Sequence, residues 1–306
     1  MSEHVNICEV GPRDGLQIAP SRMSTDDKLA WIAAMAAAGL REIEVGSFVP
    51  PRVIPQMADT EEVVRRAVEI PGLTVIALVP NLRGAQNAWN AGAHKISVPV
   101  SVSEGHSRAN LNRTPAESIA EMGRLMGWVK AQPRRMEVIA GASTAFGCSI
   151  DGTVPTAQVV SVCAGLAAAG VDKIMLADTV GYGHPKQIRE VVRAVRAEIG
   201  PVLYGLHLHD TLGMGIANAL AGLDEGIRAF DSCLGGLGGC PYAPGASGNV
   251  VTEDLVFMLE SMGFSTGIDL PKLLEARKLL HTGLPAEPLH GQLPKAGIPR
   301  TFRAAA

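Results

Sequence analysis

The feature that most constrains the fold of this chain is a repeated pairing of two kinds of segment. A short β-branched apolar run precedes an Ala- and Leu-rich segment with helical spacing, and the pair recurs at intervals of roughly 25 to 40 residues. The pattern predicts eight strands, at residues 5–10, 42–46, 75–79, 95–100, 136–140, 173–177, 203–209 and 229–234. Alternating strands and helices form parallel sheets through right-handed crossovers. Eight repeats with almost no GxGxxG fingerprint favour an α/β fold of the (β/α)8 TIM-barrel type over a doubly wound sheet.

Helices are predicted between these strands and after the last one. Their ranges are residues 26–38, 60–68, 84–91, 116–130, 157–169, 185–198 and 213–226. Ser24 and Gly39 suit the N-cap and the C′ position of the first helix. We expect a single domain over residues 1–306, with the barrel at about 5–250 and a C-terminal helical extension at about 251–285.

Charge and composition exclude several classes of function. The 306 residues carry a formal net charge of −3, so no broad basic surface for nucleic acid is expected. No apolar run approaches the roughly 18 to 20 residues that span a bilayer, and no charged-then-apolar leader precedes the first strand. Five cysteines without CxxC spacing argue against a zinc ribbon or a disulfide framework. We therefore expect a cytoplasmic protein with reduced cysteines.

Polar residues recur where the predicted strands end, which is where barrels of this type build their active sites. These residues are Arg13, Asp14, Glu44, Asn81, Ser143, Asp178, His207, His209, Cys240 and Asn249. Charged side chains in or beside apolar strands are costly unless they are paired or bind a ligand. We therefore expect these side chains to meet at one mouth of the barrel.

His207 and His209 lie two residues apart in the seventh predicted strand, so their side chains project to the same face. Alone, such a pair is as typical of a hydrogen-bonded core as of a metal site. Asp14 and Asn249 would complete a set of nitrogen and oxygen ligands without a thiolate. This set fits Mg²⁺ or Mn²⁺, with positions open for substrate or water, better than it fits structural zinc.

Arg13 and Cys240 each allow more than one interpretation. Arg13 could form a salt bridge with Glu44 or Asp178, or supply a permanent positive charge for a developing oxyanion; an always-charged guanidinium favours the second. Cys240 lies in a glycine-rich segment, residues 235–249, that suits a flexible connection, a phosphate cradle or a lid. The segment lacks the GK[ST] of a nucleotide-binding P-loop. A thiol in an accessible lid is a candidate acid or base.

Several motifs, in this order and spacing, resemble the 3-hydroxy-3-methylglutaryl-CoA lyase family. They are residues 9–17 (EVGPRDGLQ), 47–49 (SFV), 55–57 (PQM), 178–179 (DT), 207–211 (HLHDT) and 238–249 (GGCPYAPGASGN). The resemblance runs from about residue 5 to residue 280. An Asp-Arg-Glu set is shared by related metal-dependent lyase and synthase barrels, whereas the cysteine-containing segment is specific to the lyase branch.

The resemblance implies retro-Claisen cleavage of a CoA thioester to acetyl-CoA and acetoacetate, in leucine breakdown and by a homodimer. It implies that the divalent cation is held by Asp14, His207, His209 and Asn249. Arg13 would stabilise the enolate. Cys240 would donate or accept a proton, with support from Glu44, Asp178 and His207. We expect contacts with the substrate at Arg13, Gln17, Ser47, Asn81, Ser143 and Thr179.

The chain departs from the family pattern at two places. Residues 139–143 (IAGAS) stand where the family typically carries Arg-Gly-Tyr-Val-Ser, and Gly46 replaces a threonine or alanine. Both changes are expected to remove bulk near the barrel mouth and to reshape the acyl pocket. Alternative substrates are therefore citramalyl-CoA or a longer 3-hydroxy-3-alkylglutaryl-CoA. A metal-dependent aldolase of free 2-keto acids is a further alternative, which the cysteine-containing segment disfavours.

Overall fold

The computed structural model describes residues 2–238 and 248–305. Eight parallel strands close into a barrel in chain order, and β1 completes the circle by pairing with β8. They are β1 (Asn6–Glu9), β2 (Glu42–Ser47), β3 (Thr74–Leu78), β4 (Lys95–Ser101), β5 (Glu137–Ser143), β6 (Lys173–Asp178), β7 (Leu203–Leu208) and β8 (Ala229–Ser232). Every predicted strand overlaps an observed one, and the predicted TIM barrel is confirmed.

Helices surround the barrel and follow its last strand. Within the described residues they are α1 (Leu16–Ile18), α2 (Thr25–Ala37), α3 (Thr60–Ala67), α4 (Leu82–Ala91), α5 (Glu104–Leu111), α6 (Pro115–Lys130), α7 (Thr156–Ala168), α8 (Pro185–Ile199), α9 (Gly215–Asp224), α10 (Thr252–Ser261), α11 (Leu270–Gly283) and α12 (Leu293–Ala296). None of these helices is both long and apolar enough to cross a membrane.

Local sequence signals explain where the helices begin and end. The Ser24 side chain accepts a hydrogen bond from the Asp27 amide and caps α2, as its sequence position predicts. Gly39 follows α2 with a φ of 108°, and a Cβ at this position would lie 2.2 Å from the Gly267 carbonyl oxygen. Thr114 and Glu117 form a capping box at the start of α6. The predicted helix boundaries therefore rest on capping chemistry as well as on periodicity.

Alternation along the strands separates two apolar regions. On β5, Val138, Ala140 and Ala142 are fully buried against the helices, whereas Ile139 and Gly141 face the barrel interior. The large core lies between the strands and the helices. A second, smaller cluster lies inside the barrel and consists of Cys8, Val10, Ile76, Ile139 and Met175. The interior is thus apolar along part of its depth.

The helix α5 was not predicted. Its sequence, EGHSRANL, is polar and has little apolar periodicity, so periodicity does not indicate a helix here. In the structure His106 is buried, and its Nδ1 lies 2.7 Å from the hydroxyl of Ser101. His106, Asn110 and Leu111 line the cavity at the barrel mouth. The helix thus contacts the mouth of the barrel, and local periodicity does not encode such tertiary contacts.

Candidate active site

A cavity of about 380 Å³ opens at the C-terminal ends of the strands and continues down the barrel interior. Its upper wall carries Arg13, Asp14 and Glu44 together with His207 of β7 and His209 just after it, and its lower end reaches Asn6 and Tyr204. A cavity of this size is typical of a small-molecule site. The polar residues predicted at the strand ends therefore surround one continuous space.

A tight helical turn, Gly11–Gly15, directs Arg13 and Asp14 into this cavity immediately after β1. The amide of Asp14 donates to the carbonyl of Val10 at 2.7 Å. Gly11 is required because a Cβ there would lie 2.6 Å from the carboxylate of Glu9 and 2.9 Å from the ring of Trp31. Glu9 itself is buried and accepts the Gly11 amide at 2.8 Å. The motif preceding Arg13 thus shapes the turn that presents it.

Three predicted ligands converge on one point. One potential ligand atom from each of Asp14, His207 and His209 lies within 4.8 Å of the others. The Oδ2 of Asp14 is 3.5 Å from the Nε2 of each histidine, and the two Nε2 atoms are 3.2 Å apart. Adjacent ligands of an octahedral ion with bonds of about 2.1 Å stand about 3 Å apart. The spacing of the three donors therefore suits a divalent cation.

Asn249 lies beside Asp14 although the two residues are 235 positions apart in the sequence. Its amide nitrogen donates to Asp14 Oδ2 at 2.6 Å. Its Oδ1 is buried and has no hydrogen-bond partner among the described residues, and the same holds for Nδ1 of His209. A buried amide oxygen without a partner is costly unless a donor or a cation is supplied. The unpartnered oxygen beside Asp14 is a second observation that fits a bound cation.

Asp231, to which the sequence pattern assigned no role, lies on β8 next to His207 in the sheet register. Its Oδ2 is 2.9 Å from Nδ1 of His207. Burial opposes the charged form of His207, but Asp14 and Asp231 outweigh it and raise the pKa of His207 to about 10. A cation would take the place of the proton on Nε2, while Asp231 keeps the proton on Nδ1. An acidic residue within an apolar strand was the available signal for this partner.

Arg13 is both a salt-bridge partner and a permanent positive charge, the two interpretations that the sequence allowed. Its guanidinium bonds to the carboxylates of Glu44 and Asp14, and the Ser97 hydroxyl holds Glu44 in turn. Burial opposes the charge on Arg13, but Asp14 and Glu44 outweigh it and raise its pKa, so the group stays charged. Burial likewise opposes ionisation of Asp14, but Arg13 and the histidines hold its pKa well below the usual range. Arg13 is therefore a salt-bridge partner that also faces the cavity.

Three of the expected substrate contacts, besides Arg13, line the same cavity: Gln17, Ser143 and Thr179. The Gln17 amide donates to Asp14 Oδ1 at 2.9 Å. The Thr179 hydroxyl accepts the Thr144 amide at 2.9 Å. These hydrogen bonds hold polar groups at the rim, where a bound molecule would meet them.

Other predicted site residues lie elsewhere. Ser47 and Asn81 line a separate, smaller depression, and Asn81 caps α4 by accepting the Gly84 amide. Asp178 is fully buried, and its carboxylate accepts the amides of Tyr182 and Gly183 at 3.0 Å each. Burial raises the pKa of Asp178 to about 6. Cys240 lies outside the described residues.

The two departures from the family pattern differ in their surroundings. Gly141 lines the cavity, and a Cβ built there would meet no atom within 4 Å. A Cβ at Gly46 would instead lie 2.7 Å from the Thr60 side chain, which belongs to α3 outside the barrel. The expectation that Gly46 enlarges the acyl pocket is therefore wrong, because its missing side chain would point at a helix. The change on β5 is the one that opens the cavity.

Comparison with known sequences finds a family and close relatives over almost the whole chain. Residues 4–280 match the family described as HMGL-like. Hydroxymethylglutaryl-CoA lyase YngG of Bacillus subtilis is 42% identical over 274 residues, which are 90% of this chain and 91% of that protein. The cytoplasmic 3-hydroxy-3-methylglutaryl-CoA lyase of Rattus norvegicus is 43% identical over 90% of this chain and 80% of its own.

Solved structures show the same similarity. An HMG-CoA lyase from Acinetobacter baumannii, in complex with coenzyme A and 3-methylmalate, matches with a TM-score of 0.91 at 38% identity. The match covers 99% of this chain and 98% of that one. The motifs that suggested the resemblance are thus embedded in a chain that is similar along its whole length.

Proposed function

This chain belongs to the HMGL-like family, and on that premise we propose that it is a divalent-metal-dependent carbon–carbon lyase. It cleaves 3-hydroxy-3-methylglutaryl-CoA to acetyl-CoA and acetoacetate. The observation that carries this function is the convergence of Asp14, His207 and His209 beside the charged Arg13, within one cavity. A cation site next to a fixed positive charge is what a retro-Claisen cleavage needs.

Asp14, His207, His209 and Asn249 would hold the cation, for which Mg²⁺ and Mn²⁺ are our candidates. When bound, the ion supplies Lewis acidity that lowers the pKa of an alcohol. Asp231 contributes by keeping the proton of His207 on Nδ1, so that Nε2 faces Asp14. The chain thereby arranges its donors before the substrate arrives.

The bond that breaks joins carbons 2 and 3 of the acyl chain. The hydroxyl on carbon 3 loses its proton, that carbon becomes the ketone of acetoacetate, and the electron pair moves to the thioester as an enolate. Negative charge then develops on the thioester oxygen. Arg13, held between Glu44 and Asp14, offers a rigid cation for that oxygen.

The enolate must finally receive a proton at carbon 2 to give acetyl-CoA. We assign this role to Cys240 from the lyase-like motif of residues 238–249, because a thiol can act as an acid. The structure does not describe Cys240, so this assignment rests on the motif. Asp178, the last residue of β6, accepts the amides of Tyr182 and Gly183, a position that suits support of the turn after β6 over direct proton transfer.

The proposal also covers the class of substrate, the location, the oligomeric state and the pathway. The substrate is a CoA thioester, which agrees with the coenzyme A in the Acinetobacter lyase structure. A cytoplasmic homodimer that acts in leucine breakdown remains our expectation for this chain. The reaction itself can be tested without either property.

The test is to strip the protein with a chelator, restore Mg²⁺ or Mn²⁺, and measure acetyl-CoA and acetoacetate from 3-hydroxy-3-methylglutaryl-CoA. We expect equal amounts of the two products and no release before the metal returns. His209→Ala should lose metal binding in calorimetry, whereas His281→Ala, on the exposed face of α11, serves as the matched control. Release that survives chelation would overturn the proposal. Pyruvate from citramalyl-CoA alone would retain the reaction class but replace the substrate.

A further inference from the structure

The cavity extends well below the groups that the proposed chemistry uses. Tyr204, at its lower end, lies on β7 three residues before His207. At roughly 3.3 Å per residue this is about 10 Å along the strand, or about 8 Å along the barrel axis for a tilt of about 36°. Space of this depth lies beyond the reach of a methyl group on carbon 3.

The lower part of the cavity, which we call the bore, has an apolar wall. It is formed by the interior cluster Cys8, Val10, Ile76, Ile139 and Met175, and the polar side chains of Asn6, Glu42 and Tyr204 close its lower end. The sheet register places Gly141 beside Met175, whereas Ala177, two residues later on β6, lies beside His207. Because the stagger of the barrel shifts the register by about one residue per strand, Gly141 on β5 lies at about the height of His207 on β7. Because a Cβ there would meet nothing within 4 Å, the wall is open at this level.

The charges around the bore exclude an anionic group. Among the described residues that line the cavity, Arg13 is the only lysine or arginine, and Asp14 and Glu44 already bind it at the upper end. The acidic side chain of Glu42 lines the lower part. A carboxylate placed in the bore would lose its hydration and meet Glu42, because the nearby Lys95 and Lys173 are already paired with Glu42 and Glu137. The occupant that fits the bore is an uncharged alkyl group.

From these observations we infer that the preferred substrates are 3-hydroxy-3-alkylglutaryl-CoA thioesters whose branch on carbon 3 is longer than methyl. This inference rests on the proposed function and specifies its substrate class. The glutaryl carboxylate and the thioester stay at the upper end, near Arg13, and the branch enters the bore past Gly141. A branch of about four or five carbons fills the depth, since an extended chain advances by about 1.3 Å per bond.

The cleavage balances as it does for the methyl compound. The hydroxyl proton passes to a basic group of the site, the bond between carbons 2 and 3 breaks, and carbon 3 becomes a ketone that retains the alkyl branch; with the proton added at carbon 2, no net proton is gained or lost. The released enolate takes one proton at carbon 2. A propyl branch therefore gives acetyl-CoA and 3-oxohexanoate, and a pentyl branch gives acetyl-CoA and 3-oxooctanoate.

The test compares the methyl, propyl and pentyl members of this series on the metal-loaded protein. Each buried methylene is worth about fourfold in kcat/KM, so we expect the pentyl compound to exceed the methyl compound at least tenfold. Cleavage of the methyl compound with equal or poorer cleavage of the longer ones would overturn this inference alone. Cleavage of none of the three would overturn the proposed function as well.

A variant at Gly141 tests whether the alkyl branch of the substrate passes this residue. Gly141→Met places a flexible side chain in the open space, and its φ lies outside the left-handed region, so the backbone tolerates it. We expect the pentyl-to-methyl ratio of kcat/KM to fall at least tenfold. Gly127→Met, at an exposed glycine of α6 with equally open surroundings, should leave both rates unchanged. An unchanged ratio in Gly141→Met would overturn the path through the bore.

Discussion

The two ends of the barrel both carry buried charges, but they satisfy them differently. At the lower end four strands begin with a charged residue, and these residues form a chain of ion pairs. Lys95 lies 2.6 Å from Glu42 and 3.2 Å from Glu137, which lies 3.0 Å from Lys173. Lys173 in turn covers the ring of Tyr204 at 3.8 Å. Each charge at this end has a partner of opposite sign or an aromatic face.

At the upper end the charged and polar groups face a common space. Arg13 is paired, but Asn249 Oδ1 and His209 Nδ1 are buried without partners among the described residues. The ligand atoms of Asp14, His207 and His209 also point at one another. The lower charges are somewhat more exposed than the upper ones, but all of them are largely withdrawn from solvent, so burial alone does not distinguish structural charges from functional ones. The difference lies in whether the protein itself completes their interactions.

The sharpest test of this difference is Arg13→Met. We expect kcat to fall about a thousandfold, because a preorganised charge at the developing oxyanion is lost. Steady-state release of acetyl-CoA measures the effect. Arg65→Met removes an exposed arginine paired with Glu61 on α3 and should change kcat by less than about twofold. A fall of less than about tenfold in Arg13→Met would mean that Arg13 serves only as an ion-pair partner.

Lys95→Met tests the lower end. Removing Lys95 leaves Glu42 without its buried partner, so the free energy of unfolding should fall by about 3 kcal/mol or more, while kcat stays within about threefold. Urea unfolding and initial rates measure the two quantities. The exposed Lys278→Met should cost less than about 0.5 kcal/mol. A large loss of kcat at unchanged stability would contradict the division between the two ends.

The raised pKa of Asp178, near the upper end, predicts that the free energy of unfolding depends on pH. Because burial raises its pKa to about 6, the folded protein keeps this proton where the unfolded chain, with a pKa of about 3.9, has released it. The free energy of unfolding therefore falls as the pH rises from about 4 to about 6, by about 3 kcal/mol in total. Asp178→Asn should remove that part of the fall, and the exposed Asp26→Asn is the control. Identical pH profiles for wild type and Asp178→Asn would refute the raised pKa.

The smallest expected effect concerns Asp231. Asp231→Asn should weaken binding of Mn²⁺ by about 10- to 100-fold, because His207 loses the carboxylate that orients its ring. Isothermal titration calorimetry gives the Kd directly, independent of turnover. Asp224→Asn, which only breaks a surface pair with Arg189, should leave the Kd unchanged. An unchanged Kd in Asp231→Asn would assign Asp231 to packing alone.

Much of the site was predictable because its signals are local. The spacing of His207 and His209 places both rings on one face of a strand, and barrel topology places Asp14 at the same end. Asp231 was not predicted, because its partner is set by the pairing of β7 and β8. Ser97 on β4, which donates to Glu44 on β2, was not predicted for the same reason. Long-range register decides such contacts, and residue types do not specify it.

The repeated pattern of strands and helices determined the barrel by itself, since apolar alternation and capping act over a few residues. The same is true of the nitrogen and oxygen ligands expected at its mouth. Only the tertiary structure decided that Gly46 faces α3 while Gly141 faces the bore, although both are glycines on strands. A bulge between Glu44 and Gly46 shifts the register of β2, and the direction in which an absent side chain would point follows from that register.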